Sequence, residues 1–307
     1  MFKLNKIQKE TLDWYYNLLK DKIVKSINND LSLSDISKEF LNEEILKYLL
    51  IGEPQLILDI HNAAPCELRN KKFVENIFNY KKIISNTQSN SYNIAKKIGI
   101  NTCTYCNRNY TLTIVYEDEQ TKRENDSIHI TRPQFDHFFS QKDFPLLALS
   151  IYNLIPSCST CNSTIKGGKI LNLDLHLHPY IEEINPDEKD FKFSYELNTL
   201  SKFSVKIKDC KENSKIKNTL DFFKIEEVYN AHANFELKDL YDLRTKYSDT
   251  FLEIIEKNFG GIMTKEESYR MIFGIEINED DFHKRPFSKF KKDIIEELLR
   301  TQKKEEK

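Results

Sequence analysis

The sequence predicts an α+β protein, mainly helical, with a small central core that contains β-structure and a further β-hairpin after it. Three observations predict this. Helical periodicity runs through residues 1–100, alternating apolar runs replace it over 101–180, and a second alternating pair opens a C-terminal stretch that turns helical again over 181–307. Two Cys-x-x-Cys pairs, Cys103/Cys106 and Cys158/Cys161, bracket the central region.

The N-terminal region, residues 1–100, reads as scaffold. Ile7, Trp14, Leu18, Leu19, Ile23 and Ile27 recur at helical spacing. A second helix is expected after Ser34, whose side chain can cap it, with Gly52 at its end. Pro65 should open a third, carrying Leu68, Phe73, Ile77 and Tyr80, and Tyr92, Ala95 and Ile98 suggest a short last helix closed by Gly99. His61 is read as a structural histidine.

In the central region, Tyr110, Leu112, Ile114 and Tyr116, then Ile128, Ile130 and Phe135, flank a charged turn from Glu117 to Asp126 and predict a hairpin. Cys161 to Lys169 fits a short helix ending at Gly167-Gly168. In the C-terminal region, Phe191, Phe193 and Tyr195 alternate, as do Phe203, Val205 and Ile207, which predicts another hairpin. A long helical stretch from about Glu226 to Phe259 is expected to stop at Gly260-Gly261. Thr264 with Glu267 fits a capping box, and Pro286 sits where a first-turn proline would start the last helix.

Bulk properties narrow the function classes. Lys+Arg 46 against Asp+Glu 48 leaves no basic excess for wrapping a long duplex, so any phosphate-binding surface is a local patch or comes from a partner. No stretch approaches the roughly 18 apolar residues of a membrane span, and Lys, Gln and Glu interrupt the N-terminus where a signal peptide would be apolar. The expectation is a cytoplasmic protein with no membrane partner. There six cysteines do not read as a disulfide framework, and Cys66 and Cys210 read as small packing residues.

Two Cys-x-x-Cys turns can supply four thiolates to one tetrahedral Zn²⁺, leaving no position open for water, so such a zinc is structural. The gap from Cys106 to Cys158 exceeds the about 15–20 residues of a zinc ribbon, so an insert separates the two turns. Four reduced cysteines packed without metal, or a redox pair, are the alternatives. Within the insert stands Phe135-Asp136-His137 at the end of an expected strand. Asp136 offers a hard oxygen to Mg²⁺ or Mn²⁺, and His137 is the natural general base near neutral pH. Neighbours on a strand point to opposite sides, yet at a strand end both can face one cavity. Asn153 can brace the following loop, and Asn162 offers a carbonyl from the turn after the second cysteine pair.

The order Cys-x-x-Cys, Asp136-His137, Asn153-Leu154-Ile155-Pro156-Ser157-Cys158, Cys161-Asn162 and Lys166 resembles the zinc-stapled branch of the HNH, or ββα-metal, endonucleases over residues 101–180. The resemblance implies a general base at His137, metal ligands at Asp136 and Asn162, a structural brace at Asn153 and a phosphate-facing Lys166. It implies hydrolysis of nucleic-acid phosphodiesters, DNA first, with Mg²⁺ or Mn²⁺, leaving 5′ phosphate and 3′ hydroxyl ends. His178, in Leu177-His178-Pro179-Tyr180, is read either as a phosphate or metal contact or as structural. His129 and Arg132 are weaker candidates, Arg132 as a phosphate contact. The flanking regions and the His-Pro-Tyr continuation are similar to HNH proteins encoded beside SMC- or ABC-like ATPases in antiphage systems such as Septu, which implies an ATPase partner. A non-catalytic zinc module binding nucleic acid or protein is the competing reading. A zinc hydrolase of small phosphate esters needs an open zinc position that four cysteines do not leave.

Overall fold

The computed structural model describes residues 3–116, 128–181, 191–199, 202–246 and 264–305. The chain is mixed helix and sheet, and among the described residues its strands form two-stranded antiparallel ladders. It divides into two compact units, one built from Lys3–Thr104 with Thr111–Glu182, the other from Tyr105–Tyr110 with Glu183–Lys307. The expected helical scaffold over residues 1–100 and most of the expected core over residues 101–180 therefore fall in one unit.

In that unit α1 (Lys9–Asn29) buries Tyr15, Leu19, Ile23 and Ile27, a stripe four residues apart. Trp14 and Leu18, expected on it, lie one residue off and stay half-exposed. The single helix expected from Ser34 to Gly52 is two. Ser34 caps α2 (Asp35–Phe40) by accepting from Ser37 N at 3.3 Å. Asn42 then caps α3 (Glu43–Ile51) by accepting from Ile45 N at 3.0 Å, and Gly52 follows its last residue. A helix not foreseen, α4 (Pro54–Ala63), starts on Pro54, whose missing N–H costs nothing at a first turn. Pro65 opens no long helix. A single turn α5 (Lys71–Val74) and a π-helical turn Lys81–Ser85 stand where that helix was expected. α6 (Gln88–Ile98) ends as expected on Gly99, which takes φ +70, a conformation glycine adopts without a Cβ clash.

The expected hairpin is β1 (Ile114–Tyr116) with β2 (Ile128–Thr131), its charged turn lying outside the described residues. The second ladder joins β3 (Gln134–His137) to β4 (Leu154–Ser157), with Asp136 opposite Ile155 and His137 opposite Leu154. Every residue of β4 is buried, so it carries no alternation to betray a strand. Tyr15 on α1 donates its hydroxyl to Leu149 O at 2.8 Å, tying the helical layer to the loop between these strands.

In the other unit β5 (Lys192–Thr199) pairs with β6 (Lys202–Lys208), as the alternating runs predict. α7 (Lys215–Phe222), α8 (Ile225–Asn230) and α9 (Lys238–Lys246) follow, with a π-helical turn Ala233–Leu237 before α9. The expected stretch Glu226–Phe259 is thus broken within its described portion, and the rest lies outside the described residues. Thr264 and Glu267 form the expected capping box of α10 (Lys265–Phe273). The last helix, α11 (Ser288–Glu305), starts two residues after Pro286 because Phe287 takes φ 61. Phe193, Tyr229 and Phe290 form an aromatic core between hairpin and helices. Among the described residues no helix is long and apolar enough to cross a membrane.

Candidate active site and cysteine cluster

The four cysteines come together. The sulfurs of Cys103, Cys106, Cys158 and Cys161 all lie within 4.8 Å of one another, and all four residues are buried. Two elements deliver them. Thr104 N donates to Pro156 O at 3.1 Å, which holds the first turn against β4. β4 ends one residue before Cys158, and the turn to Cys161 closes with Asn162 N donating to Cys158 O at 3.0 Å. Four sulfurs around one ion at about 2.3 Å would stand roughly 3.8 Å apart, so the cluster could hold a metal such as zinc with little adjustment.

β3 carries the other chemistry. Gln134 and Asp136 share one face of the strand, Phe135 and His137 the other. On the His137 side the ring is fixed from three directions. Its Nε2 lies 3.0 Å from Ala148 O. A carbonyl only accepts, so Nε2 carries the proton and Nδ1 keeps the lone pair. Nδ1 accepts from Gln141 Nε2 at 3.0 Å. Tyr80 stands edge-on to the ring, with centroids 4.5 Å apart and planes at 86°. Burial pushes the pKa of His137 down to about 4, against smaller upward pulls from Ala148 O and Asp136. The imidazole is therefore neutral at neutral pH, its basic nitrogen turned toward the half-buried Gln141.

On the Asp136 side, Lys166 donates from Nζ to Oδ1 at 2.7 Å and also to the carbonyl of His137. Both side chains of this ion pair are 5% exposed. Lys166, expected to face a substrate phosphate, is here turned inward: burying Asp136 without a counter-charge would cost more than the pair does. Asn162 lies over Gln134, donating to its Oε1 at 3.0 Å, and Ser163 Oγ shares that acceptor at 3.2 Å. The π-helical turn Thr160–Lys166 thus runs along β3, Lys166 over Asp136 and Asn162 one strand step earlier. Asn162, expected to share a metal ion with Asp136, has its amide nitrogen committed to Gln134.

Asn153 closes the loop between the two strands. Its Oδ1 accepts from Phe139 N at 2.7 Å, and its Nδ2 donates to Phe139 O at 3.1 Å and Leu147 O at 2.8 Å, all fully buried. That loop carries both Gln141 and Ala148, the two polar partners of His137. Replacing Asn153 by alanine strands Phe139 N and Phe139 O, since Leu147 O keeps Ser150 N at 3.2 Å, and at 1–3 kcal/mol for each group should cost about 2–6 kcal/mol in urea unfolding. Unchanged stability would show that the amide braces nothing.

His178 is packed into the interior. It is 4% exposed, 4.4 Å between centroids from Phe138, with Nδ1 accepting from Tyr180 N at 3.3 Å. Burial pushes its pKa down to about 3. Arg132 spreads its guanidinium over Tyr92 and Phe135, 5.8 and 5.5 Å from the ring centroids, and its charge acts on the Tyr80 hydroxyl. His129 packs on Tyr92 at 4.5 Å.

Comparison with protein-family models, curated proteins and solved structures finds no match. The chemistry therefore rests on the residues themselves. Reading the sequence missed Tyr80, Gln141 and Gln134. Gln134, two residues before Asp136 on an expected strand, was legible as its face-mate. Nothing local marks Tyr80, which only the packing of 71–99 brings to His137.

Proposed function

We propose that the chain is a metal-dependent endonuclease of the HNH kind, hydrolysing phosphodiester bonds in nucleic acid, DNA in the first instance, with a structural zinc on Cys103, Cys106, Cys158 and Cys161. One observation carries the reading: a neutral histidine held in a single tautomer by a backbone carbonyl, next to a buried carboxylate, on a strand tied to the cysteine cluster. His137 Nδ1 takes a proton from water at the position its Gln141 partner now marks. The resulting hydroxide attacks phosphorus in line, the phosphorus–oxygen bond to the 3′ carbon's oxygen breaks, and that oxygen leaves, taking a proton from solvent water to become a 3′ hydroxyl. Asp136 and the side-chain carbonyl of Asn162 are hard oxygen donors that suit Mg²⁺ or Mn²⁺, and a carboxylate has lone pairs enough to serve both Lys166 and an ion. Such a cation, when bound, offsets charge on the phosphate and the leaving oxygen.

The test is nicking of supercoiled plasmid with Mg²⁺ or Mn²⁺, wild type beside His137→Ala. Loss of the base should slow nicking by roughly 10²–10⁴-fold. Nicking at the wild-type rate in the variant rejects His137 as the base. The Lys166–Asp136 pair favours a second reading, a zinc module that binds nucleic acid or protein without cutting it. That reading moves ahead if neither protein nicks while both still bind.

A further inference from the structure

The chain as a whole is slightly acidic, yet residues 71–99 are not. They hold six lysines, Lys71, Lys72, Lys81, Lys82, Lys96 and Lys97, against the single carboxylate of Glu75. All six lysines are exposed. Lys71 pairs with Glu75 at 3.6 Å and Lys97 lies over the Trp14 ring. Among the described residues, Lys72, Lys81, Lys82 and Lys96 make no ion pair, while many lysines elsewhere do.

This basic stretch is fastened at two points, one of them on the candidate base. Tyr80, immediately before Lys81 and Lys82, sets its ring edge on His137. Tyr92, one helical turn before Lys96, stacks under Arg132 and His129. Lysines with no carboxylate to neutralise them, anchored next to a histidine suited to phosphate chemistry, complement a polyanion.

We propose that the exposed lysines of 71–99, centred on Lys81 and Lys82, bind the phosphate backbone of the nucleic acid beside the scissile bond. The proposal rests on the nuclease reading and names the surface that holds its substrate. It makes the N-terminal helices, which carry no catalytic group of their own, a wall of the substrate site, and it locates the local basic patch that a near-neutral nuclease requires. Lysines on a flexible stem act here as point charges, so they track the backbone and read no sequence.

The experiment is fluorescence anisotropy of a short labelled DNA duplex, without added Mg²⁺ or Mn²⁺, over a range of salt. Lys81→Glu/Lys82→Glu should weaken binding roughly tenfold or more and flatten the log–log salt dependence by about 2, near one for each phosphate no longer neutralised. Lys22→Glu/Lys25→Glu on α1, with the same change in net charge, should stay within about twofold of wild type, since those lysines neutralise no phosphate. Both variants alter exposed side chains and should melt as the wild type does. His137→Ala should bind as the wild type does while losing nicking. Equal weakening by both lysine pairs, no weakening by the first, or no duplex binding by the wild type overturns the proposal. Because nicking and binding are read separately, loss of nicking in His137→Ala upholds the nuclease reading even if the lysines prove idle. Lysine-dependent binding without any nicking upholds the surface and ends the nuclease reading.

Discussion

Cys158→Ser should lower the melting temperature by about 10–20 °C and release the bound ion, and a strong chelator should do the same to the wild type. The size follows from the position. Cys158 comes directly after β4, whose Ser157 pairs with Gln134 at the start of β3. Losing the ion frees that end of the ladder and with it the register that sets Asp136 opposite Ile155. Structural zinc contributes about 10–16 kcal/mol of apparent free energy in small peptides that are unfolded without it. Here the ladder is also held by Asn153 and by a buried core, so on the order of 5 kcal/mol of that should appear as folding stability, and each kcal/mol moves the melting point by about 2–4 °C in a chain of this size class. The checks are elemental analysis, expected to give one zinc per chain, and calorimetry of wild type and variant. Four thiols packed without metal would give no zinc and only the small cost of placing a hydroxyl where a thiol was.

Acidification should destabilise the fold well before most carboxylates titrate. His61, His137 and His178 are buried, and burial holds their pKa values at about 4, about 4 and about 3. In the unfolded chain each returns to about 6.5. As pH falls below that value the unfolded state takes up protons that the folded state refuses, so stability is full above pH 6.5 or so and declines toward the folded pKa values. At pH 5 each histidine should cost about 2 kcal/mol, and the three together about 6 kcal/mol, from 1.36 kcal/mol per unit over about 1.5 units. Urea unfolding at pH 7.5 and at pH 5 measures this. His178→Leu should reduce the difference between the two pH values by about a third, whatever the variant loses at both. A pH response identical to that of the wild type would mean that His178 opens to solvent and titrates normally.

Much of the local structure was legible because it depends on neighbours in sequence. Ser34, Gly99 and the Thr264–Glu267 box mark helix ends through groups a few residues apart, and both hairpins show period-two alternation in sequence, although in the first Ile114, Tyr116, Ile128 and Ile130 are exposed. What failed to show was structure whose cause lies elsewhere in the chain. The break between α2 and α3 is the exception of local origin, Asn42 accepting from Ile45 N to cap α3. β4 hid inside Leu154–Ser157 because a strand buried on both faces has no alternation.

At the site, the spacing of four cysteines and the adjacency of Asp136 and His137 are written in the chain, since metal ligation and acid–base chemistry are properties of residue type. So is the capacity of Asn153 to brace a loop. Which partner each side chain takes is another matter. Lys166 turns inward to Asp136, Asn162 settles on Gln134, and Tyr80 reaches His137, because burial forces every charge and polar group to find its complement among whatever the folded chain brings within a few ångströms. Sequence order carries the kinds of groups present, but only packing assigns the pairs.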